Sequence, residues 1–293
     1  MSESEQSQAE SLRAALGVKS PQGIEYLKIL IYGEAGVGKT FFCGTADDDA
    51  RTSPVLIIDV EGGTTTLHSK PAVDVVQVRS MKQLQDVADR LHSHRKYYNT
   101  IIVDSLTELQ QVDMHEVMLE QFNKKPETTD IYVPSPREWG KSGARVKEIV
   151  RYLKDLPCHC IITTLMREER DEQLGYVKRV PDLPGQLRGQ VPGFLDIVGF
   201  MQANDIANPD EDVVRSIQFI KTKKVVAKDR TQSLPKLLTG PTIPSMWEHI
   251  LGSNATIERS IAPELLASVE GYARDAPVPQ VEGEPDTEAH TGE

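Results

Sequence analysis

Gly33-Glu34-Ala35-Gly36-Val37-Gly38-Lys39-Thr40 sets glycines, a lysine and a threonine at the spacing G-x-x-x-x-G-K-[ST]. That spacing is the pattern of a phosphate-binding loop. The chemistry follows from the residue types. Glycines let the backbone bend so closely that several N–H groups point at one anion. A helix leaving the loop adds partial positive charge. Lys39 reaches the β- and γ-phosphates of a nucleoside triphosphate, and the Thr40 hydroxyl is a ligand for Mg²⁺. The pattern is meaningful only between a strand and a helix. Here the apolar run Tyr26-Leu27-Lys28-Ile29-Leu30-Ile31-Tyr32 leads in, and Phe41-Phe42-Cys43 follows. ATP with Mg²⁺ is the ligand this stretch predicts.

Hydrolysis requires an acid on the metal side and a group that positions water. Asp104 ends the apolar run Thr100-Ile101-Ile102-Val103 and precedes Ser105. A carboxylate at the C-terminal end of a parallel strand faces the ligand crevice, so Asp104 is the metal-side candidate. The bland alternative is a helix cap, since Asp and Ser both cap. Glu61 is the candidate catalytic base, working with Lys39. It follows Ile57-Ile58-Asp59-Val60 and precedes Gly62-Gly63, whose freedom permits an unusual turn. Asp59 and Glu61 point the same way if the strand extends that far, with Asp59 a supporting or strand-end residue. Thr163 and Thr164 close the run Ile161-Ile162 and are candidate sensors of the γ-phosphate; half-buried strand threonine is the alternative. Cys158-His159-Cys160 has no second Cys/His pair at zinc spacing and reads as packing.

These residues need a frame. Strands are predicted over residues 26–32, 55–60, 73–78, 100–104, 159–165, 197–202 and 213–221. Helices are predicted over 39–45, 81–94, 106–121, 138–156 and 263–272, with a short one at 11–18. Alternating strands and helices imply an α/β fold with a mostly parallel sheet covered on both faces. Ser135-Pro136-Arg137-Glu138 reads as a capping box that starts a helix. The expected organisation is a flexible segment over 1–22, one ATPase domain over 23–252, a helical segment over 253–274 and an acidic disordered tail over 275–293. The net charge of −11 belongs mostly to the end of the chain, where Arg274 is the only lysine or arginine after residue 263. It does not exclude a nucleic-acid site on the body. Three cysteines make no disulfide framework, and no apolar run is long enough to span a membrane. The polar start carries no secretory signal. A cytoplasmic protein is expected.

The ordered elements resemble the RecA/RadA-type recombinase ATPase core. Residues 33–40 correspond to its Walker A loop, Ile58-Asp59-Val60-Glu61-Gly62 to the strand ending in its catalytic glutamate, and Ile101-Ile102-Val103-Asp104-Ser105 to its Walker B strand. Trp139-Gly140, Leu183-Pro184-Gly185 and Ala227-Lys228-Asp229-Arg230 are similar to a phage-encoded branch of AAA/RecA-like annealing and recombination proteins. The resemblance spans about residues 24–250. It implies a RecA-like P-loop core acting on single-stranded DNA, in the host cytoplasm for a phage-encoded chain, as a homo-oligomer. The acidic tail is a candidate site for a single-strand binding protein; a tail that only solubilises the chain is the alternative. The resemblance implies DNA-binding loops at 123–136, with Lys124 and Lys125, and at 165–193, with Arg167, Arg170, Lys178, Arg179 and Arg188. Acids interleave the second loop, so a solvated face is its alternative. Lys228 and Arg230 are the implied groups acting in trans on a neighbour's ATP; a lysine-protected edge strand is the alternative. Two rival functions stay open: a motor or helicase-loader ATPase, and a non-catalytic ATP-gated assembly protein.

Overall fold

Aliphatic runs become the strands of one mixed sheet. The computed structural model describes residues 26–94, 97–170, 175–204 and 212–251. The strands are β1 (Lys28–Gly33), β2 (Val55–Asp59), β3 (Asp74–Gln77), β4 (Thr100–Asp104), β5 (His159–Arg170), β6 (Val177–Pro181), β7 (Ile197–Ala203), β8 (Arg215–Gln218), β9 (Lys228–Asp229) and β10 (Leu237–Thr239). Their order is β10-β8-β7-β1-β5-β4-β2-β3, with β6 added to β5 and β9 to β7. From β7 to β3 every pairing is parallel; β6, β8, β9 and β10 pair antiparallel. Every residue of β2 and β4 is buried, as strands covered on both faces require.

Side chains alternate between two cores. On one face Leu30, Tyr32, Ile58, Val103 and Ile162 meet helices α2 (Met81–Ser93), α3 (Leu106–Lys124), α4 (Pro136–Lys154) and α5 (Leu187–Phe194). On the other, Ile31, Ile57, Ile102 and Ile161 meet α1 (Lys39–Gly44) and α6 (Ile243–Leu251). The expected α/β architecture with helices on both faces is therefore present. Among the described residues no helix is long and apolar enough to cross a membrane.

The capping box is formed as read. The Ser135 hydroxyl accepts from the Arg137 N–H at 3.3 Å, and the Glu138 carboxylate accepts from the Ser135 N–H at 3.0 Å. Ser135→Ala is expected to lower the unfolding free energy by about 1 kcal/mol. A urea melt reads this as a lower midpoint with an unchanged slope.

Several boundaries differ from expectation. β5 does not stop at Leu165 but runs to Arg170 and pairs antiparallel with β6, and α5 follows, so the described residues of 165–193 are mostly strand and helix rather than a loop. The cause is cross-strand charge: Glu168 lies opposite Arg179 and Glu169 opposite Lys178, pairings that favour a polar strand. Helix α3 extends to Lys124, so that lysine ends a helix. The strand read at 213–221 shrinks to Arg215–Gln218, and β2 ends at Asp59 rather than Val60. Helix α6 went unread, although Ile243, Met246 and Trp247 are buried at helical spacing. The helices read at 11–18 and 263–272, and the segments 1–22, 253–274 and 275–293, lie outside the described residues.

Candidate functional site

β1 delivers the loop at its C-terminal end, between β5 and β7. Two positions there require glycine. A Cβ on Gly33 would sit 2.4 Å from the Met201 carbonyl oxygen, and Gly38 adopts φ +104°. Lys39 is buried, and its Nζ donates to the carbonyls of Gly33 (3.1 Å) and Glu34 (2.8 Å). Burial pushes the Lys39 ammonium below the ordinary lysine range, while the Glu61 and Asp104 carboxylates pull it back up. The cation thus sits where two acids can feel it.

Asp104 is 2% exposed and ends β4 on the α1 face. Its Oδ2 accepts from Thr40 Oγ1 at 2.6 Å, and its Oδ1 accepts from Thr163 Oγ1. Its carbonyl accepts from Val60 N at 2.8 Å and Glu61 N at 3.4 Å, so β4 holds the chain that carries Glu61. The exposed Glu61 carboxylate accepts from the Ser105 hydroxyl. That same hydroxyl caps α3 by accepting from Glu108 N. Asp59 is turned to a different task. It accepts from Gly62 N at 2.7 Å and Thr64 Oγ1 at 3.3 Å, which closes the turn beneath Glu61. Asp59 and Glu61 therefore do not share a strand face; β2 has ended between them.

The two threonines of β5 go to opposite faces, as strand alternation demands. Thr163 joins Asp104. Thr164 is fully buried, and its hydroxyl has no hydrogen-bond partner among the described residues. A hydroxyl and a carboxylate within 2.6 Å form an all-oxygen donor set, which suits a hard cation such as Mg²⁺. The residues present fit that metal.

Residues 25–231 match the family model described as an AAA domain. The chain belongs to the AAA domain family. It is a P-loop ATPase, with the loop, the acid strand and the helix-covered parallel sheet in one unit. Solved structures with partial similarity include two proteins. One is a KaiC-like protein from the hyperthermophilic archaeon Pyrococcus horikoshii OT3, with 13% identity and a TM-score of 0.41 over 69% of this chain and 82% of that one. The other is an ATPase from the type III secretion system of pathogenic bacteria, with 16% identity and a TM-score of 0.38 over 60% of this chain and 52% of that one. The chain thus spans about half the length of the secretion ATPase. No curated protein matches it.

The remaining candidates of this AAA ATPase lie away from the loop. Arg167 pairs with Asp182, Arg179 with Glu168 and Arg188 of α5 with Glu169, so those cations have acidic neighbours. Arg170 faces Val177, and Lys178 faces Glu169 across the β5–β6 pair. Lys228 donates to the Pro192 carbonyl at 2.8 Å, and Arg230 pairs with Asp196 at 3.2 Å, so both brace the end of α5 in their own chain. β9 pairs with Ile197 and Val198, the end of the sheet opposite the phosphate loop. His159 turns its Nδ1 to the Leu27 N–H and meets Trp247 edge-on, while Cys158 and Cys160 pack into the other core. Two residues near the loop were not singled out from sequence. Ser105 was noted only as a neighbour of Asp104. Arg215, whose Nε donates to the Val37 carbonyl at 3.0 Å, gave no local signal.

Proposed function

We propose that this AAA ATPase binds Mg²⁺-ATP at residues 33–40 and hydrolyses it with Glu61, acting on single-stranded DNA in annealing or recombination. The observation that carries the hydrolytic reading is the convergence of Thr40, Asp104 and Ser105-held Glu61 beside the buried Lys39. The loop amides and Lys39 hold the phosphates. Thr40 and Asp104 hold Mg²⁺, which when bound neutralises phosphate oxygens. Glu61, oriented by Ser105, positions water and accepts its proton. Thr163 fixes Asp104 from the opposite side.

The DNA reading rests on family resemblance and on one surface. Between α3 and α4, Tyr132 is 84% and Val133 66% exposed, with Phe122 and Trp139 also on the surface. Lys124, Lys125 and Arg137 interleave them in sequence. Exposed aromatics with cations suit stacked bases and a phosphate backbone. This surface serves better than β5 and β6, where Arg167, Lys178 and Arg179 have acidic neighbours and only Arg170 faces an apolar residue. Helix α3 links the two places. It starts beside Ser105, touching Glu61, and its 19 residues end at Lys124, about 28 Å away. A homo-oligomer, with Lys228 or Arg230 reaching a neighbour's nucleotide, extends the same reading; Arg230 is about half exposed.

The test is steady-state turnover titrated with a single-stranded oligonucleotide at low and moderate salt. Turnover should rise with DNA. Three cationic contacts predict a log–log salt slope of about −2 for oligonucleotide binding. Tyr132→Ala with Trp139→Ala should reduce the stimulation and leave basal turnover unchanged. Turnover that ignores DNA and rises only with a protein partner would replace this reading with a loader or motor. Nucleotide binding without turnover would replace it with an ATP-gated assembly protein.

A further inference from the structure

Arg215 is the first residue of β8, on the far side of β7 from β1. Its backbone is pinned in the sheet opposite Ala203, and its carbonyl accepts from Gly240 N at 2.9 Å. Two residues on, Ile217 is buried in the core that covers α1. A strand has period two, so the Arg215 side chain leaves the sheet on that same face. It crosses to the phosphate loop, where Nε donates to the Val37 carbonyl at 3.0 Å. Its Nε and Cδ would lie 2.8 and 3.1 Å from a Cβ on Gly38. The last loop glycine is demanded by its positive φ, and any side chain there would also push this arginine aside. Among the described residues the guanidinium makes no other hydrogen bond or ion pair.

The consequence lies in the geometry of one peptide. The Val37–Gly38 bond is planar and trans, so its carbonyl and its N–H point in opposite directions. With Arg215 holding the carbonyl, the Gly38 N–H is turned to the opposite side of the peptide, away from the arginine. Amide groups of such loops are the phosphate ligands. Gly38, at φ +104° with no side chain, has the least intrinsic resistance to peptide rotation of any residue type. A donor bound to its carbonyl side removes that freedom before ligand arrives.

We propose that Arg215 is a positioning residue for the phosphate loop, fixing the Val37–Gly38 peptide so that its N–H is presented to a nucleoside di- or triphosphate. This rests on the reading that residues 33–40 hold nucleotide. Arg215 acts through the loop backbone, so ADP and ATP depend on it alike, and hydrolysis at saturation depends on it little. A guanidinium presents several donors in a fixed fork, whereas lysine offers a point charge. Lysine at this position therefore restores part of the effect.

The experiment titrates fluorescently labelled ADP and ATP, with Mg²⁺, into the full-length wild type, R215K, R215Q and R215A, and follows thermal unfolding without nucleotide. The expected result is about tenfold weaker binding of both nucleotides to R215A. R215K and R215Q should fall between it and wild type. KM should rise by the same factor while kcat changes less than about threefold, and the ligand-free melting temperature should stay near that of wild type. Wild-type affinity in R215A overturns the proposal. So does a loss of affinity that only tracks a lowered ligand-free melting temperature, because the arginine would then be merely structural. A tenfold loss for ATP with none for ADP also overturns it, since the arginine would then touch the γ-phosphate. If wild type binds neither nucleotide, the loop reading itself fails and takes this inference with it, an outcome distinct from a variant that binds as well as wild type.

Discussion

Replacing Glu61 with Gln is expected to leave ATP binding nearly intact and to lower turnover by about a hundredfold or more. The substitution keeps the shape and still offers an oxygen to the Ser105 hydroxyl, the contact that holds this side chain. It removes only the ability to take a proton from water. Glu61 is exposed, so the change should not disturb folding. Its charge also supports Lys39, whose ammonium is depressed by burial and raised by Glu61 and Asp104 together. Asp104 stays in the variant and still supports the Lys39 ammonium, so phosphate affinity should shift only slightly. Single-turnover hydrolysis and equilibrium nucleotide binding, measured on the same preparation, separate the two effects. Hydrolysis at the wild-type rate would remove Glu61 from the chemistry. A matching loss of binding would make it a structural member of the pocket. Ser105→Ala tests the same link from its other end and should give a smaller loss, since Glu61 keeps its backbone anchor on the Asp104 carbonyl.

How much of this was legible in the sequence depended on whether the cause was local. The phosphate loop is a contiguous pattern whose strand and glycines do their work within eight residues, and it was readable. The doubly buried strands β2 and β4 announce themselves as unbroken aliphatic runs. The partnership of Thr40 with Asp104 was implied by chemistry, but which β5 threonine joins them was settled by strand parity, which a one-residue shift in the predicted boundary would reverse. Asp59 shows the same limit. Its side chain turns back to the Gly62 amide, and that decides where β2 ends and hence where Glu61 points. The polar strands of the β5–β6 pair read as loop from sequence; their stabilising charge pairs join residues of two different strands and have no short-range signature. Arg215 was unreadable for the same reason in stronger form. The partner of its side chain is a backbone carbonyl 178 positions earlier.

Asp104→Asn is expected to abolish the dependence of ATP affinity on Mg²⁺ and to lower turnover by about a thousandfold. The carboxylate spends one oxygen on the Thr40 hydroxyl and the other on Thr163. Asparagine retains one acceptor and turns the other contact into a donor, which a threonine hydroxyl accommodates by rotating. The pocket should therefore survive with its charge removed. The loss of that charge has two opposed effects on nucleotide. A divalent cation loses its one carboxylate ligand and is held by Thr40 alone. A metal-free triphosphate, by contrast, no longer meets a buried negative charge, and Coulomb repulsion at this range is worth roughly 1–4 kcal/mol. Lys39 pulls the other way, since without Asp104 its ammonium is less supported against burial. The repulsion removed acts on a polyanion, and Glu61 still supports the lysine. Binding in EDTA should therefore be equal to wild type or tighter, while the gain on adding Mg²⁺ disappears. Titration calorimetry with and without the metal reads both quantities directly. A wild-type Mg²⁺ increment in this variant would show that Asp104 holds no metal, and the pairing of Thr40 with Asp104 would then be only a structural tie between α1 and β4.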